Sequence, residues 1–375
     1  MKIVIAPDSF KECLSAREVG LAIQHGLARV WPNAEYRIVP VADGGEGTAQ
    51  SLVDASQGHF VTLKVTGPLG QSVRAKYGLT GDKSTAIIEM AEASGLHLVS
   101  PAQRQVLDAT SYGTGELIKH ALDSGIRKLI IGLGGSATND AGVGMLSALG
   151  ARFMDASDEP IVATGRGLSD LCRIDTSSLD PRLQQSEILV ACDVNNPLCG
   201  DNGASAVFGP QKGADVKKVA LLDRNLKHFS ELTKQVTQRD VLHASGSGAA
   251  GGMGAALLAY SNAILKPGVE IVLNAVGLEN QLCDADLVIT GEGRIDSQTV
   301  QGKTPMGVAQ LAKLNGIPVI ALCGCTGDGY QAVYECGIDA VFSVVPRTMD
   351  LPVALAEAEI NISDVAENVA RVYTM

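Results

Sequence analysis

The chain has 375 residues, 46% of them hydrophobic and 19% charged, with a formal net charge of −11. At roughly 100–200 residues per domain this length calls for two domains, and the negative balance argues against a broad nucleic-acid surface, which needs a basic footprint. No stretch approaches the roughly 20 apolar residues of a membrane span, so a soluble protein without nucleic-acid or membrane partners is expected.

The first apolar run, residues 3–6, reads as a short buried strand, and Pro7 and Asp8 end it too soon for a secretory leader. A cytoplasmic location is the expectation. Ser15-Ala16-Arg17-Glu18 has the spacing of a capping box. Val19, Ala22, Ile23, Leu27 and Val30 then share one helical face, and Pro32 follows the stop. A second strand over 37–42 runs into Asp43-Gly44-Gly45-Glu46-Gly47, and a helix follows. Residues 59–90 change character. Phe60–Val65, Ser72–Tyr77 and Thr85–Met90 read as three short strands separated by Gly67-Pro68-Leu69-Gly70 and Gly81-Asp82, an antiparallel meander. Helix 113–124, strand 128–133, helix 141–149, strand 187–192, helix 216–236 and an apolar helix 255–265 come next. From residue 286 strands and helices alternate: strands 286–290, 317–323 and 340–345, with helices 305–315, 329–336 and 351–372. This is the pattern of a parallel sheet. The expected fold class is therefore α/β in two domains: a discontinuous Rossmann-like parallel-sheet domain from 1–58 plus 285–375, and an inserted mixed α/β domain over 59–284. The site is expected in the cleft between them.

Glycine reaches 42 residues, well above the roughly 7% background, and clusters with Ser, Thr, Asp and Asn just after predicted strands. In open α/β sheets that is where ligands bind. Asp8-Ser9-Phe10-Lys11 offers a carboxylate, a hydroxyl and a cation, suited to a proton or metal at Asp8 and an anion at Lys11. Asp43-Gly44-Gly45-Glu46-Gly47 combines glycines that admit a close anion with two carboxylates that suit Mg²⁺ or a hydroxyl. Gly132-Leu133-Gly134-Gly135-Ser136-Ala137-Thr138-Asn139-Asp140 has the shape of a phosphate cradle. Asp193-Val194-Asn195-Asn196-Pro197 presents oxygens for a metal or for hydroxyls, and Gly209-Pro210-Gln211-Lys212-Gly213 adds a lysine on a turn. Ser245-Gly246-Ser247-Gly248 with Gly251-Gly252-Met253-Gly254 reads as a second phosphate-facing loop. Gly291-Glu292-Gly293-Arg294-Ile295-Asp296 places two acids and a guanidinium where a metal-bound nucleotide is handled.

Gln301-Gly302-Lys303-Thr304-Pro305 resembles the end of a P-loop, but Ser297 stands where GxxxxGK[ST] needs its first glycine, so a Walker motif is rejected. The protein-kinase signatures and GxSxG are missing, no dinucleotide-type GxGxxG follows strand one over residues 5–10, and the six histidines have no zinc spacing. The eight cysteines form no paired ligand spacing. Cys323-Gly-Cys325 is the one close pair, and reduced thiols near a core are expected.

Taken together, Ala6–Lys11, Pro40–Thr48, Gly132–Asp140, Cys192–Leu198 and Thr290–Arg294, in this order, resemble the bacterial glycerate kinase family across essentially the whole chain. Departures are small: Glu12-Cys13 where that family commonly has Gly-Ser, and Ala141 where it commonly has Gly. The resemblance implies transfer of the ATP γ-phosphoryl group to D-glycerate with Mg²⁺, giving 2-phosphoglycerate, on two α/β domains. The residue roles are read from the motifs themselves. Asp8, Lys11, Asp193 and Arg294 are the catalytic candidates, with Asp193 or Asp8 accepting the hydroxyl proton. Ser9, Lys11, Asp43, Gly44, Gly45, Glu46 and Asn195 are expected to bind substrate. Gly134, Gly135, Ser136, Thr138, Asn139, Gly251, Gly252 and Lys303 are expected on the nucleotide, and Asp140, Glu292 and Asp296 on the metal. Phosphorylation of the 3-hydroxyl, or a sugar-acid sensor without turnover, are the alternatives. The residues leave the oligomeric state open.

Overall fold

The apolar runs pair into two main sheets that belong to different parts of the chain. The computed structural model describes residues 1–45, 47–300 and 302–375. The chain divides into two compact units, Met1–Gln57 with Pro267–Met375, and Gly58–Lys266. The return to the first unit falls at Pro267, earlier than the expected 285. Helices Gly268–Ala275 and Leu278–Leu282 belong with the first unit because Gly268 lies flat on the backbone of Asp43 and Gly44, where a Cβ would overlap the Asp43 carbonyl.

In the first unit five strands form an all-parallel sheet in the order Ala340–Ser343, Val319–Thr326, Leu287–Ile295, Lys2–Pro7, Glu35–Ile38. Ile3, Val4, Ile5 and Ala6 have no exposed surface, as a strand covered on both faces requires. From the central pair, Lys2–Pro7 and Leu287–Ile295, the chain winds outward in opposite directions, which makes this pair the topological switch point. Helix Ala16–Ala28 starts at the expected capping box: the Glu18 N–H donates to Ser15 Oγ at 3.3 Å, and the Ser15 N–H donates to the Glu18 carboxylate at 2.8 Å. Helix 351–372 is in fact two helices, Leu351–Ala356 and Ala358–Tyr373, broken at Glu357. The first buries none of its residues, whereas the second turns Ile362, Ala366 and Val369 into the core, so one straight axis cannot serve both.

In the second unit six strands run in the order Ala263–Lys266, Glu187–Ala191, Lys128–Gly132, Thr85–Glu89, Ser72–Leu79, His59–Thr66. The first four are parallel and the last two antiparallel, so the meander is present at one edge. The apolar helix expected over 255–265 is Ala249–Tyr260, and Ala263–Lys266 is instead an edge strand. Ser261 stops the helix by turning extended and donating its hydroxyl to the Leu257 carbonyl at 2.6 Å, a signal that an unbroken apolar run hides. Both units have the expected α/β character.

Helices Ala16–Ala28 and Ala358–Tyr373 touch at Gly26, where a Cβ would overlap the Ser363 carbonyl oxygen and stand 2.8 Å from Ala366 Cβ. Gly26→Ala is therefore expected to destabilise the first unit by roughly 1–3 kcal/mol, outweighing the helix-propensity gain of about 1 kcal/mol. A urea unfolding midpoint that did not fall would contradict this packing.

Candidate functional site

In the first unit the chain leaves strand Lys2–Pro7 at the switch point. The Asp8 N–H continues the ladder by donating to the Gly291 carbonyl at 2.8 Å, which places Asp8 beside Glu292 in the neighbouring strand. Phe10 is buried in the core and exchanges backbone bonds of 2.9 Å with Leu14, so the loop closes and leaves Lys11 exposed at its tip. A cavity of about 510 Å³ opens here. Asp8, Ser9, Lys11, Asp43, Glu292, Arg294 and Lys303 line it. All seven are among the site candidates of the sequence, Lys303 on the nucleotide and Glu292 on the metal.

Asp8 is the electrostatic centre. One oxygen accepts the Thr304 hydroxyl at 2.6 Å, and the other accepts the Ser9 N–H at 2.6 Å and the Ser9 hydroxyl at 3.3 Å. Burial nevertheless pushes its carboxyl up to about 6. The Thr304 bond opposes that rise, Asp43 adds to it, the Ser9 N–H opposes it, and Glu292 adds a further push. Burial also raises Glu292, opposed by the Thr299 hydroxyl at 2.7 Å and by Lys303 at 3.4 Å. Arg294 is exposed and pairs with Asp296 at 3.2 Å. Asp296 also accepts the Gln298 N–H at 2.9 Å and does not line the cavity. Asp43 folds back to accept the Gly45 N–H at 2.9 Å, while Gly44 takes a left-handed conformation. Glu46 lies outside the described residues.

The second unit carries a polar cluster at the carboxyl ends of its parallel strands, and there several of the expected site residues make contacts within the fold. Asp140, expected on a metal, is fully buried, and its carboxylate accepts the Ser111 N–H and hydroxyl at 2.8 and 2.7 Å and the Gly142 and Gly144 N–H groups at 3.1 and 3.3 Å. It thereby fills the N-terminus of helix Val143–Ala148 that the sequence pattern offered to a phosphate. Gly251 and Gly252, expected on the nucleotide, are buried in left-handed conformation against the backbone of residues 138–141. A Cβ on Gly251 would overlap the Thr138 carbonyl, so the close approach of their own chain by itself requires glycine here. Thr138 and Asn139 are buried too, with Asn139 accepting the Ser205 hydroxyl at 3.2 Å. Gly134 and Gly135 alone of this group are exposed. Asp193 and Asn195 are exposed after strand Glu187–Ala191, and Asn195 accepts the Ser245 hydroxyl at 3.0 Å.

Beneath the glycine loop Lys212 is almost fully buried and donates to Ser136 Oγ at 2.6 Å and to the Thr138 carbonyl at 2.7 Å. Burial pushes its ammonium down to about 7, opposed by Asp140. Sequence reasoning left Lys212 as a turn residue, since nothing local marks a buried cation. Thr304 was also missed. It was read only as the tail of a failed P-loop, although its place at the start of helix Thr304–Leu314 aims its hydroxyl at Asp8.

Among the described residues no group of three or more His, Cys, Asp or Glu side chains forms a metal cage. Mg²⁺ does not require one, because it commonly keeps waters and binds through one or two carboxylates plus substrate phosphates. Asp43 and Glu292, both in the cavity wall, supply a donor set of that kind.

A switch-point cavity lined by carboxylates and cations defines a site for small anionic ligands. Residues 3–374 match the model of the glycerate kinase family. A glycerate kinase from Haemophilus influenzae is 55% identical, over 99% of this chain and 98% of that protein. The Escherichia coli glycerate 2-kinase is 54% identical, over 99% and 97%. The crystal structure of a candidate glycerate kinase 2 from Salmonella typhimurium superposes with a TM-score of 0.93 at 54% identity, covering 100% of this chain and 98% of that one. The chain belongs to the glycerate kinase family, enzymes that phosphorylate glycerate.

Asp8 is expected to titrate near pH 6 in a carboxyl-resolved NMR experiment. Thr304→Val removes a bond that favours the carboxylate and should move the midpoint to higher pH. Because the folded value lies above the ordinary 3.8, protonation of Asp8 stabilises the fold fully below pH 3.8, and that contribution is lost as pH rises through about 6. A midpoint near the ordinary value would contradict the buried setting.

Proposed function

We propose that this kinase transfers the γ-phosphoryl group of ATP to the 2-hydroxyl of D-glycerate, giving 2-phospho-D-glycerate, and that Asp8 is the proton acceptor. The observation that carries the reading is the position of Asp8. It lies at the switch point with its carboxyl raised to about 6, in a cavity that also holds Lys11, Arg294 and Lys303. A base works best when its pKa is close to the operating pH, and burial brings Asp8 towards that range.

Phosphoryl transfer needs positioning and charge neutralisation more than covalent help. Lys11, at the tip of its loop, is placed to receive the glycerate carboxylate. Arg294 and Lys303 are placed to offset charge on the transferring group, each already oriented by a carboxylate, Asp296 and Glu292. Thr304 and Ser9 hold the Asp8 carboxylate in one orientation, so its oxygens meet the acceptor hydroxyl without a search over rotamers. Asp43 and Glu292 would hold Mg²⁺ together with the nucleotide phosphates, and the ion would neutralise phosphate charge when bound. The similarity to a protein named for 2-phosphorylation supports the choice of hydroxyl. The eight free thiols suit a reducing, cytoplasmic setting, and no helix among the described residues is long and apolar enough to cross a membrane.

In a coupled assay with D-glycerate, turnover should require ATP and Mg²⁺, and NMR should place the phosphate on carbon 2. Phosphate on carbon 3 would refute the regiochemistry, and glycerate binding without ATP turnover would make the protein a sensor. Asp8→Asn should lower kcat by roughly 10²–10⁴-fold. A loss below about tenfold would remove Asp8 as the base.

A further inference from the structure

The cavity is divided by chemistry. Beyond the carboxylates and cations its wall includes Val344, Val345, Met349, Leu351, Ala354 and Leu355. Helix Leu351–Ala356 buries none of its residues in the fold, and Leu351 is 67% exposed. An apolar wall joined to a cationic end needs an occupant with both characters.

Glycerate does not supply one. Each of its carbons bears oxygen, so it has no apolar face, and it fills only about the volume of three or four waters, roughly 100 Å³. The cavity, at about 510 Å³, is several times larger and falls within the roughly 300–1,000 Å³ of sites for drug-sized ligands. Of the two substrates only the nucleotide joins a flat, weakly polar ring to a polyanion. We propose that the wall formed by residues 344–355 is the adenine subsite, with the triphosphate leading from it towards Arg294 and Lys303. The proposal rests on ATP being the donor. It accounts for apolar side chains left open beside charged ones. Val344 is anchored by its N–H donating to the Cys323 carbonyl at 2.8 Å, and Cys13 Sγ donates to the Leu355 carbonyl at 3.2 Å, so two sides of the wall are tied to the sheet and to the Asp8–Leu14 loop.

The test uses Leu351→Asp and Ala354→Leu in the full chain. Leu351 is exposed and opens a helix, where an acidic residue is favourable, so the first variant keeps its fold; the second fills the wall without adding charge. Binding of AMP, measured by calorimetry without glycerate, should weaken by roughly tenfold or more in both. The KM for ATP should rise in parallel, while the KM values for glycerate and for methyl triphosphate, a donor without a base, move less than about twofold. Unchanged AMP affinity in both variants, or a parallel rise in the glycerate KM, would overturn the assignment; the latter would make the wall part of the acceptor site. Because AMP binding is read without turnover, a wild-type protein that binds AMP through this wall yet fails to phosphorylate glycerate would sink the functional reading and leave the subsite standing.

Discussion

The first unit depends on one pairing, the parallel contact of Lys2–Pro7 with Leu287–Ile295, in the register Ile5 to Ile289 and Pro7 to Gly291. These strands are more than 280 residues apart in sequence, yet they form the centre of the sheet, and the Thr290 hydroxyl stitches them by donating to the Ala6 carbonyl at 2.8 Å. The register decides the chemistry. A slip by one residue would turn each side chain of the strand to the opposite face and would break the bond from the Asp8 N–H to Gly291 that aligns Asp8 with Glu292. Loop closure between such distant partners is entropically costly, and the buried runs on both strands offset it.

The carboxylates brought together by that register resist ionisation jointly. Burial is the first cause for both Asp8 and Glu292, and Asp43 and Glu292 add to the rise at Asp8. Thr304, Thr299 and Lys303 moderate the effect, and Lys11 and Arg294 sit in the same wall. The resulting balance holds the Asp8 carboxyl at about 6 and leaves cations in the same cavity for an anionic ligand.

The second unit uses its polar residues differently. Asp140, Ser111, Lys212, Ser136 and the buried glycines form an interior scaffold in which donors and acceptors meet one another. A buried carboxylate or ammonium is tolerable only when so satisfied. This network holds the loop from Gly134 to Asn139 from below and leaves Gly134 and Gly135 as its exposed tip.

Local signals were legible where physics is local. The capping box at Ser15, the apolar run of residues 3–6, the meander and the alternating tail follow from hydrogen-bonding reach and side-chain period, and these short-range rules placed most elements and the polar turns after them. The family resemblance was readable in the same turns. What the sequence alone could not separate was a glycine that admits a ligand from one that admits its own backbone, as at Gly251, or a carboxylate that binds a metal from one that caps a helix, as at Asp140. Nor could it show the burial of Lys212, the bond from Thr304 to Asp8, or the apolar wall of residues 344–355. Each of these depends on which distant segments the sheets bring into contact, and composition or spacing along the chain carries no record of that distance.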